Sequence, residues 1–374
     1  MAECLTRAIE PPRRVFDPLT RRMPPLRTGR TTSAVRSLPL NVAIVGATGA
    51  VGNELLRVLD QRRFPVSELR LLASAKSTDR TLTFRGRAIP VQPLAAEAFR
   101  NIQIAFFSAG KSVSREFVPR AVQAGATVVD NSSAFRMDAG VPLCVPEVNG
   151  HLLAGGPRVV AVPNCTAIIL CMAIWPIHRV SPVERIVVST YQAVSGAGAR
   201  ALDELHEQLR AVARGEPPVA RVLPHPIAMN VFSHNTPVGP TGFNEEETKV
   251  IDETRRILDV ANLPICPTCI RVPVPRAHAE SITLTLAQPL EPDRARALLA
   301  AAPGVRVVDD AAANHFPMPV EASDQDDVLV GRIRSDPSQP SGRGLCLFAC
   351  GDQLRKGAAS NAVQIAERLV GSVQ

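Results

Sequence analysis

The strongest constraint on the fold is an apolar run followed by a glycine-rich loop and an amphipathic segment. Residues 41–45 read Asn-Val-Ala-Ile-Val, and residues 46–52 read Gly-Ala-Thr-Gly-Ala-Val-Gly. From Val51 to Leu59, apolar residues then recur at helical spacing. A buried strand that turns tightly into a helix offers free N–H groups to phosphate oxygens at the helix N-terminus. The pattern therefore predicts a dinucleotide-binding loop, with GxxGxxG spacing instead of GxGxxG.

Strands and helices alternate through the next hundred residues. We expect strands at residues 69–73, 102–107, 126–130 and 158–162, and a helix at 112–124. Such alternation is typical of an α/β, doubly wound parallel sheet of the Rossmann-like type.

The pattern changes after residue 165. Shorter alternating runs predict strands at 184–191, 269–274, 281–286 and 345–350, and helical spacing predicts helices at 199–213, 245–260, 292–301 and 354–370. We therefore expect an α+β second domain with a mixed sheet, and we expect the last helix to return to the first domain.

Composition excludes several classes of protein. The chain has 45% hydrophobic and 21% charged residues, the balance of a globular protein, and we find no apolar run long enough for a membrane span. Residues 1–40 carry eight Arg and three acids, so they hold +5 of the formal charge of +7. The rest is only about +2, and there is one Trp and one Tyr, so we expect no nucleic-acid partner.

The Arg-rich segment at residues 1–39 shows no sustained period and is predicted to be a disordered leader. An organelle transit peptide is one interpretation. The scarcity of Ser and the lack of an amphipathic stripe favour a nonfunctional tail or a start codon assigned too early. We expect a cytoplasmic protein.

The eight cysteines are irregularly spaced, which predicts free thiols in a reducing compartment. Cys266 and Cys269 form a CxxC pair without a second pair or suitably spaced histidines, so no metal site is predicted. We interpret the pair as part of an apolar strand; a redox pair is the alternative.

The segment after the second predicted strand bears on the choice of cofactor. An NAD enzyme usually places Asp or Glu there to hold the ribose 2′-hydroxyl. This chain has Ser74, Lys76 and Ser77, and no acid before Asp79. A cation with hydroxyls suits a 2′-phosphate, so NADP is predicted; the alternative is that Lys76 is a solvated loop residue.

A candidate nucleophile follows an apolar strand and precedes an apolar helix. Residues 163–166 read Pro-Asn-Cys-Thr. A helix N-terminus lowers the pKa of a thiol, and its free amides can hold an oxyanion. Cys165 is therefore predicted to be a reactive thiolate, against the alternative of an inert buried cysteine.

Three further features support a catalytic site. Residues 190–198 end a strand in a small-residue loop that lets a ligand approach the backbone. Glu246 and Lys249 share one helix face and could hold an amino group and a phosphate, although surface ion pairs look the same. Arg271 leads into a turn with His278, whose usual pKa suits proton transfer near neutrality; a structural histidine is the alternative.

Together these segments resemble the aspartate-semialdehyde dehydrogenase family over residues 40 to 372. The resemblance rests on short motifs in a specific order: GATGAVG at 46–52, DNSSAFRMD at 130–138, VPEVN at 145–149, PNCT at 163–166, TYQAVSGAG at 190–198, EETK at 246–249, RVPV at 271–274 and GDQLRKGAASNAVQIAE at 351–367.

The resemblance implies roles for individual residues. In catalysis it implies the nucleophile Cys165, the acid/base His278, Gln192 to position the thiohemiacetal, and Asn164 beside the nucleophile. For substrate and phosphate it implies Arg271 on the α-carboxylate, Glu246 on the α-amino group, and Arg136 and Lys249 on phosphate. For NADP it implies Gly46, Thr48, Gly49, Ala50, Val51, Gly52, Ser74, Lys76, Ser77, Ser195, Gly196 and Gln353. The family's usual GDNL reads Gly-Asp-Gln-Leu here, so Gln353 departs from the pattern.

The resemblance also implies the activity and its organisation. Residues 40–165 would form the NADP-binding domain, completed by 352–374, and residues 166–351 a catalytic and dimerisation domain of a homodimer. The reaction would be reduction of 4-aspartyl phosphate to aspartate 4-semialdehyde through a cysteine thioester, with release of phosphate. N-acetyl-glutamyl-phosphate reductase, which has a PGCY-type motif, and a non-catalytic NADP-binding paralogue are the alternatives.

Overall fold

A computed structural model of the chain describes residues 39–339 and 341–371. The predicted leader at residues 1–39 therefore lies, apart from its last residue, outside the described part. The described chain forms two seven-stranded sheets with helices packed against them. Among these residues, none of the helices combines the length and the apolar character needed to cross a bilayer.

The first sheet has the strand order β3-β4-β2-β1-β5-β6-β7. Its strands are β1 (Leu40–Val45), β2 (Val66–Ala73), β3 (Thr81–Phe84), β4 (Arg87–Pro93), β5 (Ile104–Phe107), β6 (Thr127–Asp130) and β7 (Val159–Ala161). All neighbours run parallel except β3 and β4, which form an antiparallel hairpin at the edge.

Helices cover both faces of this sheet, because its apolar strands present side chains to two separate core clusters. The helices of this half are α1 (Ala50–Gln61), α2 (Lys111–Gln123) and α3 (Pro146–Asn149). Leu55 and Leu59 of α1 pack into one cluster, and Val118 and Ala121 of α2 pack into the other. The prediction of a doubly wound, Rossmann-like sheet is confirmed.

The second sheet is mixed, with the order β12-β13-β14-β11-β8-β10-β9. Its strands are β8 (Val183–Gln192), β9 (Phe232–Ser233), β10 (Ile265–Arg271), β11 (His278–Leu286), β12 (Val305–Val307), β13 (Val328–Ser335) and β14 (Gly344–Gly351). The other helices are α4 (Cys165–His178), α5 (Ala199–Ala213), α6 (Glu245–Leu258), α7 (Pro292–Ala300), α8 (Pro319–Ala322) and α9 (Ser360–Gly371). The predicted mixed sheet is confirmed.

The helix α4 lies at the centre of the molecule. Ten of its residues are buried, and it contacts the helices α3, α6 and α7 as well as strands of the second sheet. A helix that is apolar all round is stable only when it is covered on every side. Its first residue, Cys165, is therefore fixed relative to both sheets.

Most predicted boundaries lie within three residues of the observed ones, and two predicted elements differ further. The strand predicted at 269–274 is β10 at 265–271, because Pro273 has no N–H and disfavours continuation of the ladder. Both CxxC cysteines lie in that strand as free thiols, Cys266 exposed and Cys269 buried. The helix predicted at 354–370 begins as a π-helical turn at Arg355–Ala359 and continues as α9, which packs on α1.

Candidate active site

A single cavity of about 310 Å³ brings the glycine loop and the PNCT segment together. It is lined by Gly49, Ala50, Val51, Ser108, Asn131, Arg136, Pro163, Asn164, Cys165, Ser195, Gly196, Gly198, Gln353, Leu354, Gly357 and Ala358. Loops that follow strands of both sheets therefore face one space, with the N-termini of α1 and α4 at its wall.

The glycine loop depends on the absence of side chains at two of its positions. Gly46 has φ +85°, and a Cβ there would lie 2.4 Å from the carbonyl oxygen of Ser108. A Cβ on Gly52 would lie 2.3 Å from the carbonyl oxygen of Gly46. Gly49 is the N-cap of α1 and has no side chain to cap it. The first amides of α1 thus stay open to a ligand in the cavity.

The start of α4 is capped by a side chain. Asn164 Oδ1 accepts hydrogen bonds from the amides of Thr166, at 2.9 Å, and Ala167, at 3.3 Å. The prediction that free amides of this helix hold an oxyanion is wrong for these two, because Asn164 already occupies them. The same cap fixes the first turn and hence the direction of the Cys165 side chain.

The prediction of a lowered thiol pKa at Cys165 is also wrong. Cys165 is half-buried at the cavity wall. Burial, followed by the charge of Glu246, raises the pKa of this thiol to about 12, although Arg136 and Thr166 act in the opposite direction. Loss of hydration outweighs the effects of Arg136 and Thr166, so Cys165 is held as a thiol at neutral pH.

The π-helical turn brings the chain against the nucleophile. A Cβ on Gly357 would lie 2.8 Å from the Cβ of Cys165. A π turn often marks a functional site, because its extra residue reshapes the helix surface. Here it places a glycine where any side chain would displace Cys165.

Near the thiol, two side chains donate to the same carboxylate oxygen of Glu246. Asn164 Nδ2 donates to Glu246 Oε1 at 2.9 Å, and Gln192 Nε2 donates to the same oxygen at 3.0 Å and to Thr166 Oγ1 at 3.1 Å. Burial tends to raise the pKa of Glu246, but His234, Asn164 and Lys249 outweigh it and the pKa is lowered. Glu246 is therefore an ionised carboxylate that can bind an ammonium group.

His278 is held as a neutral ring with one defined tautomer. The Ala193 amide donates to Nδ1 at 3.0 Å, so the ring proton is on Nε2. Burial, and then the charge of Arg271, lowers the pKa of His278 to about 3, which contradicts the expected titration near neutrality. Nε2 is buried and has no partner within the described chain. It is a hydrogen-bond donor available to a ligand.

Arg271 lies beside this histidine and is only 2% exposed. It donates to the Ala193 carbonyl oxygen at 2.7 Å and to His234 Nε2 at 2.7 Å. A Cβ on Gly196 would lie 3.3 Å from His278 Nε2 and 3.4 Å from Arg271 Nη1. Since Gly196 also lines the cavity, the small-residue loop leaves both groups next to that space.

The two residues predicted to bind phosphate occupy different settings. Arg136 is buried and lines the cavity with Cys165. Lys249 is a partly exposed side chain one turn along α6 from the site, and its Nζ lies 2.8 Å from Glu245 Oε1 and 3.8 Å from Glu246 Oε2. Arg136 is therefore the cation nearer to the thiol.

The residues predicted to bind the 2′-phosphate lie at the carboxyl end of β2. Ser74 and Lys76 are exposed, and Ser77 is half-buried in a short 3₁₀ turn. This end of β2 adjoins the glycine loop, because the Gly46 amide donates to the Leu72 carbonyl oxygen at 2.8 Å. The arrangement leaves these side chains free for an adenosine ribose that extends along the sheet edge.

Comparison with known proteins identifies the family. The family model for the NAD-binding domain of semialdehyde dehydrogenases matches residues 41–155, and the model for their dimerisation domain matches residues 174–356. The aspartate-semialdehyde dehydrogenase of Synechocystis sp. is 50% identical over 332 residues, which is 89% of this chain and 98% of the relative. That of Aquifex aeolicus is 46% identical over 334 residues, 88% and 97% of the two chains.

The chain belongs to the aspartate-semialdehyde dehydrogenase family. A crystal structure of aspartate-semialdehyde dehydrogenase II from Vibrio cholerae, complexed with ASA, superimposes with a TM-score of 0.86 at 40% identity, covering 90% of this chain and 99% of that chain. The predicted family and the predicted nicotinamide-dinucleotide domain are confirmed, and the acetylated-substrate alternative is not favoured.

In this family member, Gln353 is engaged within the protein. Its Oε1 accepts a hydrogen bond from the Ala277 amide at 2.9 Å, and its Nε2 donates to the Ser195 hydroxyl. Ala277 has φ +70° and directly precedes His278. The longer amide that departs from the family's usual Asn thus fixes the strained turn that aims the histidine.

Three residues that contact predicted site residues were missed in the sequence. Glu253 contacts both Arg136 and Asn164, His234 contacts Arg271, and Gly357 contacts Cys165. Only Glu253 had a usable signal, because it lies seven residues after Glu246 and therefore on the same face of a predicted helix. The other two are brought in by tertiary packing.

Proposed function

We propose that the chain catalyses the NADP-dependent reduction of 4-aspartyl phosphate to aspartate 4-semialdehyde, with release of phosphate, through a thioester on Cys165. The observation that carries the proposal is the single cavity that joins the dinucleotide loop to this cysteine. Family membership at 50% identity supplies the substrate class. NADP, and not NAD, is supported by Ser74, Lys76 and Ser77 and by the lack of an acid at that position.

The charged groups fit the two ends of the substrate. The ionised Glu246 would bind the α-ammonium group, and Arg271 the α-carboxylate. Arg136, with Lys249 after it leaves Glu245, would hold the phosphoryl group. An analogue that lacks the amine or the carboxylate would leave a buried charge unpaired, which gives the site its specificity.

The covalent step begins with attack of the Cys165 sulfur on the acyl carbon of the substrate. The C–S bond forms as the C–O bond to phosphate breaks, and the thiol proton leaves with the phosphate. The result is a thioester. Arg136 stabilises the charge that develops on the departing phosphate.

When bound, NADPH would supply the hydride that reduces the thioester carbonyl. His278 Nε2–H donates a hydrogen bond to the oxyanion that develops there, consistent with its neutral tautomer. Collapse of the oxyanion releases the aldehyde and expels the Cys165 sulfur as a thiolate, which takes up a proton from solvent to restore the thiol. We assign His278 the role of a donor to the oxygen, and Gln192 and Asn164 the role of positioning the thiol end of the site.

The proposal extends to assembly and location, which family membership supports. The dimerisation domain at residues 174–356 supports a homodimer. The outer face of the second sheet offers a surface for it, because Tyr191 is 40% exposed there and its ring lies 6.3 Å from that of Phe348. A biosynthetic enzyme of this kind would act in the cytoplasm.

An assay in the phosphorylating direction tests the function. Purified protein is mixed with NADP, inorganic phosphate and either aspartate 4-semialdehyde or N-acetylglutamate 5-semialdehyde, and NADPH is followed by absorbance. We expect NADPH only with the aspartate compound and only with phosphate. Turnover of the acetylated compound alone would establish the other reductase, and NADP binding without phosphate-dependent turnover would establish a binding protein.

A further inference from the structure

One buried carboxylate links the phosphate-binding cation to the nucleophile segment. Glu253 lies on α6, two turns after Glu246, and is 2% exposed. Its Oε1 accepts from Arg136 Nη1 at 3.0 Å, and its Oε2 accepts from the backbone amide of Asn164 at 2.5 Å. The two donors come from segments far from α6 in the sequence, so the carboxylate joins three parts of the chain.

Glu253 completes the set of hydrogen bonds that holds the Arg136 guanidinium in place. Arg136 Nε donates to the Val162 carbonyl oxygen at 2.9 Å, and Nη2 donates to the Asn131 carbonyl oxygen at 2.9 Å. With Glu253 on Nη1, each guanidinium nitrogen has one bond to the protein. Because a guanidinium has five N–H groups, two remain for an anion in the cavity that Arg136 lines.

Glu253 also completes the set of hydrogen bonds that holds Asn164 in place. Its Oδ1 caps α4, its Nδ2 donates to Glu246, and its amide donates to Glu253. The next residue is Cys165, so the backbone that carries the thiol is anchored through Asn164 by two carboxylates of α6. Glu253 therefore fixes the distance between the guanidinium and the nucleophile.

Burial of Glu253 is unfavourable for stability alone. Loss of hydration raises the pKa of this carboxyl group, against the effects of Arg136 and the Asn164 amide. A buried ion pair is often no more stable than apolar side chains of the same size. The hydrogen bonds from Glu253 to Arg136 and to the Asn164 amide are a better explanation for a carboxylate at this buried position.

We propose that Glu253 is a positioning residue that holds Arg136 at the distance from Cys165 required for phosphate to leave or attack the acyl carbon. The inference rests on the proposed function. It assigns Glu253 no contact with the substrate, so its effect must pass through Arg136 and Asn164.

Glu253→Gln tests the inference, because the amide has the same shape but must turn its NH₂ toward one of two donors. We expect the KM for phosphate in the phosphorylating assay to rise about tenfold or more, while the KM for the semialdehyde changes by less than about twofold. A measurement without turnover accompanies it: protection of Cys165 from iodoacetamide by inorganic phosphate should need a similarly higher concentration.

Glu247→Gln is the matched control. Glu247 is also a buried carboxylate of α6 that accepts two backbone amides, those of Asn244 and Cys269, each at 2.9 Å. It contacts neither Arg136 nor Asn164 in the described hydrogen bonds. This variant should lower the melting temperature and leave the phosphate KM unchanged.

Glu253→Asp serves if the Gln variant does not fold, because it keeps the charge but is too short to reach both donors. A raised phosphate KM in either variant supports the inference. An unchanged phosphate KM and unchanged phosphate protection, with only a lower melting temperature, would overturn it. Wild-type protein without phosphate-dependent turnover would instead overturn the proposed function.

Discussion

Two helix N-termini face the same cavity, and they are prepared for different tasks. The helix α1 begins after Gly49, which offers no side-chain cap, so its first amides are available to a ligand. The helix α4 begins after Asn164, whose side chain takes up two amides before any ligand arrives. A bare helix start binds phosphate, whereas a capped start orients a side chain. The first therefore serves the cofactor, and the second serves the thiol of Cys165.

The largest effect on activity should come from a substitution that removes the Cys165 thiol and leaves α1 unchanged. We expect Cys165→Ser to lose at least about a thousandfold in kcat, because a hydroxyl is a far weaker nucleophile in this site. NADP should still bind with about the wild-type Kd, measured by fluorescence titration or calorimetry. If the variant loses NADP as well, the two helix starts are not independent.

The pH dependence of alkylation tests the capped start directly. Since burial raises the pKa of Cys165 to about 12, the free enzyme holds a thiol at neutral pH, and the thiolate fraction grows as pH rises. We expect alkylation of the Cys165 peptide by iodoacetamide, followed by mass spectrometry, to increase about tenfold per pH unit from neutrality to pH 9. A rate that is already constant below pH 8 would show that the helix start does lower the thiol pKa.

A methyl group in the glycine loop gives the reciprocal test at α1. In Gly52→Ala, the new Cβ would lie 2.3 Å from the Gly46 carbonyl oxygen, so the loop must shift. We expect the Kd for NADP to rise about tenfold or more, while alkylation of Cys165 keeps its wild-type rate. Gly155→Ala is the control, because its Cβ would meet open space. Equal NADP affinity in the two variants would contradict the assignment of the loop.

The smallest effect should come from removing the cap. Asn164→Ala should cost about 1 kcal/mol of stability and about tenfold in kcat, since α4 loses its N-cap and Glu246 loses a donor. Asn164→Ser should restore the melting temperature by capping the helix, but not kcat, because Ser cannot reach Glu246. Full activity in the Ala variant would show that the cap does not orient the thiol.

The two helix N-termini also show which features of the site could be predicted from the sequence and which could not. The glycine loop and the PNCT segment are local, so the strand, turn and helix at each could be predicted with the residues that face the cavity. The state of the thiol could not, because it depends on burial and on Glu246, which reaches Asn164 across 82 positions of the chain. The pKa of Cys165 was predicted from its place at a helix N-terminus and that of His278 from the usual value of a histidine, but burial raises the first and lowers the second.

Other parts of the fold were missed because their sequence pattern is weak or because they depend on tertiary contacts. The hairpin of β3 and β4 is short and largely exposed, so it has little hydrophobic pattern. The π-helical turn at Arg355–Ala359 interrupts a segment with good helical spacing, and its close approach to Cys165 is a tertiary contact that the local spacing does not contain. Glu253 acts on Arg136 across 117 positions, a relation that no local spacing contains.

The proposed mechanism requires a covalent acyl group on the Cys165 sulfur, so the most direct test is to trap that acyl group. The enzyme is incubated with aspartate 4-semialdehyde and NADP without phosphate, quenched in acid, digested and analysed by mass spectrometry. We expect the Cys165 peptide to gain the mass of one aspartyl group and to lose that mass when phosphate is added before the quench. NADPH formation with Cys165 unmodified, or with the adduct on another cysteine, would contradict it.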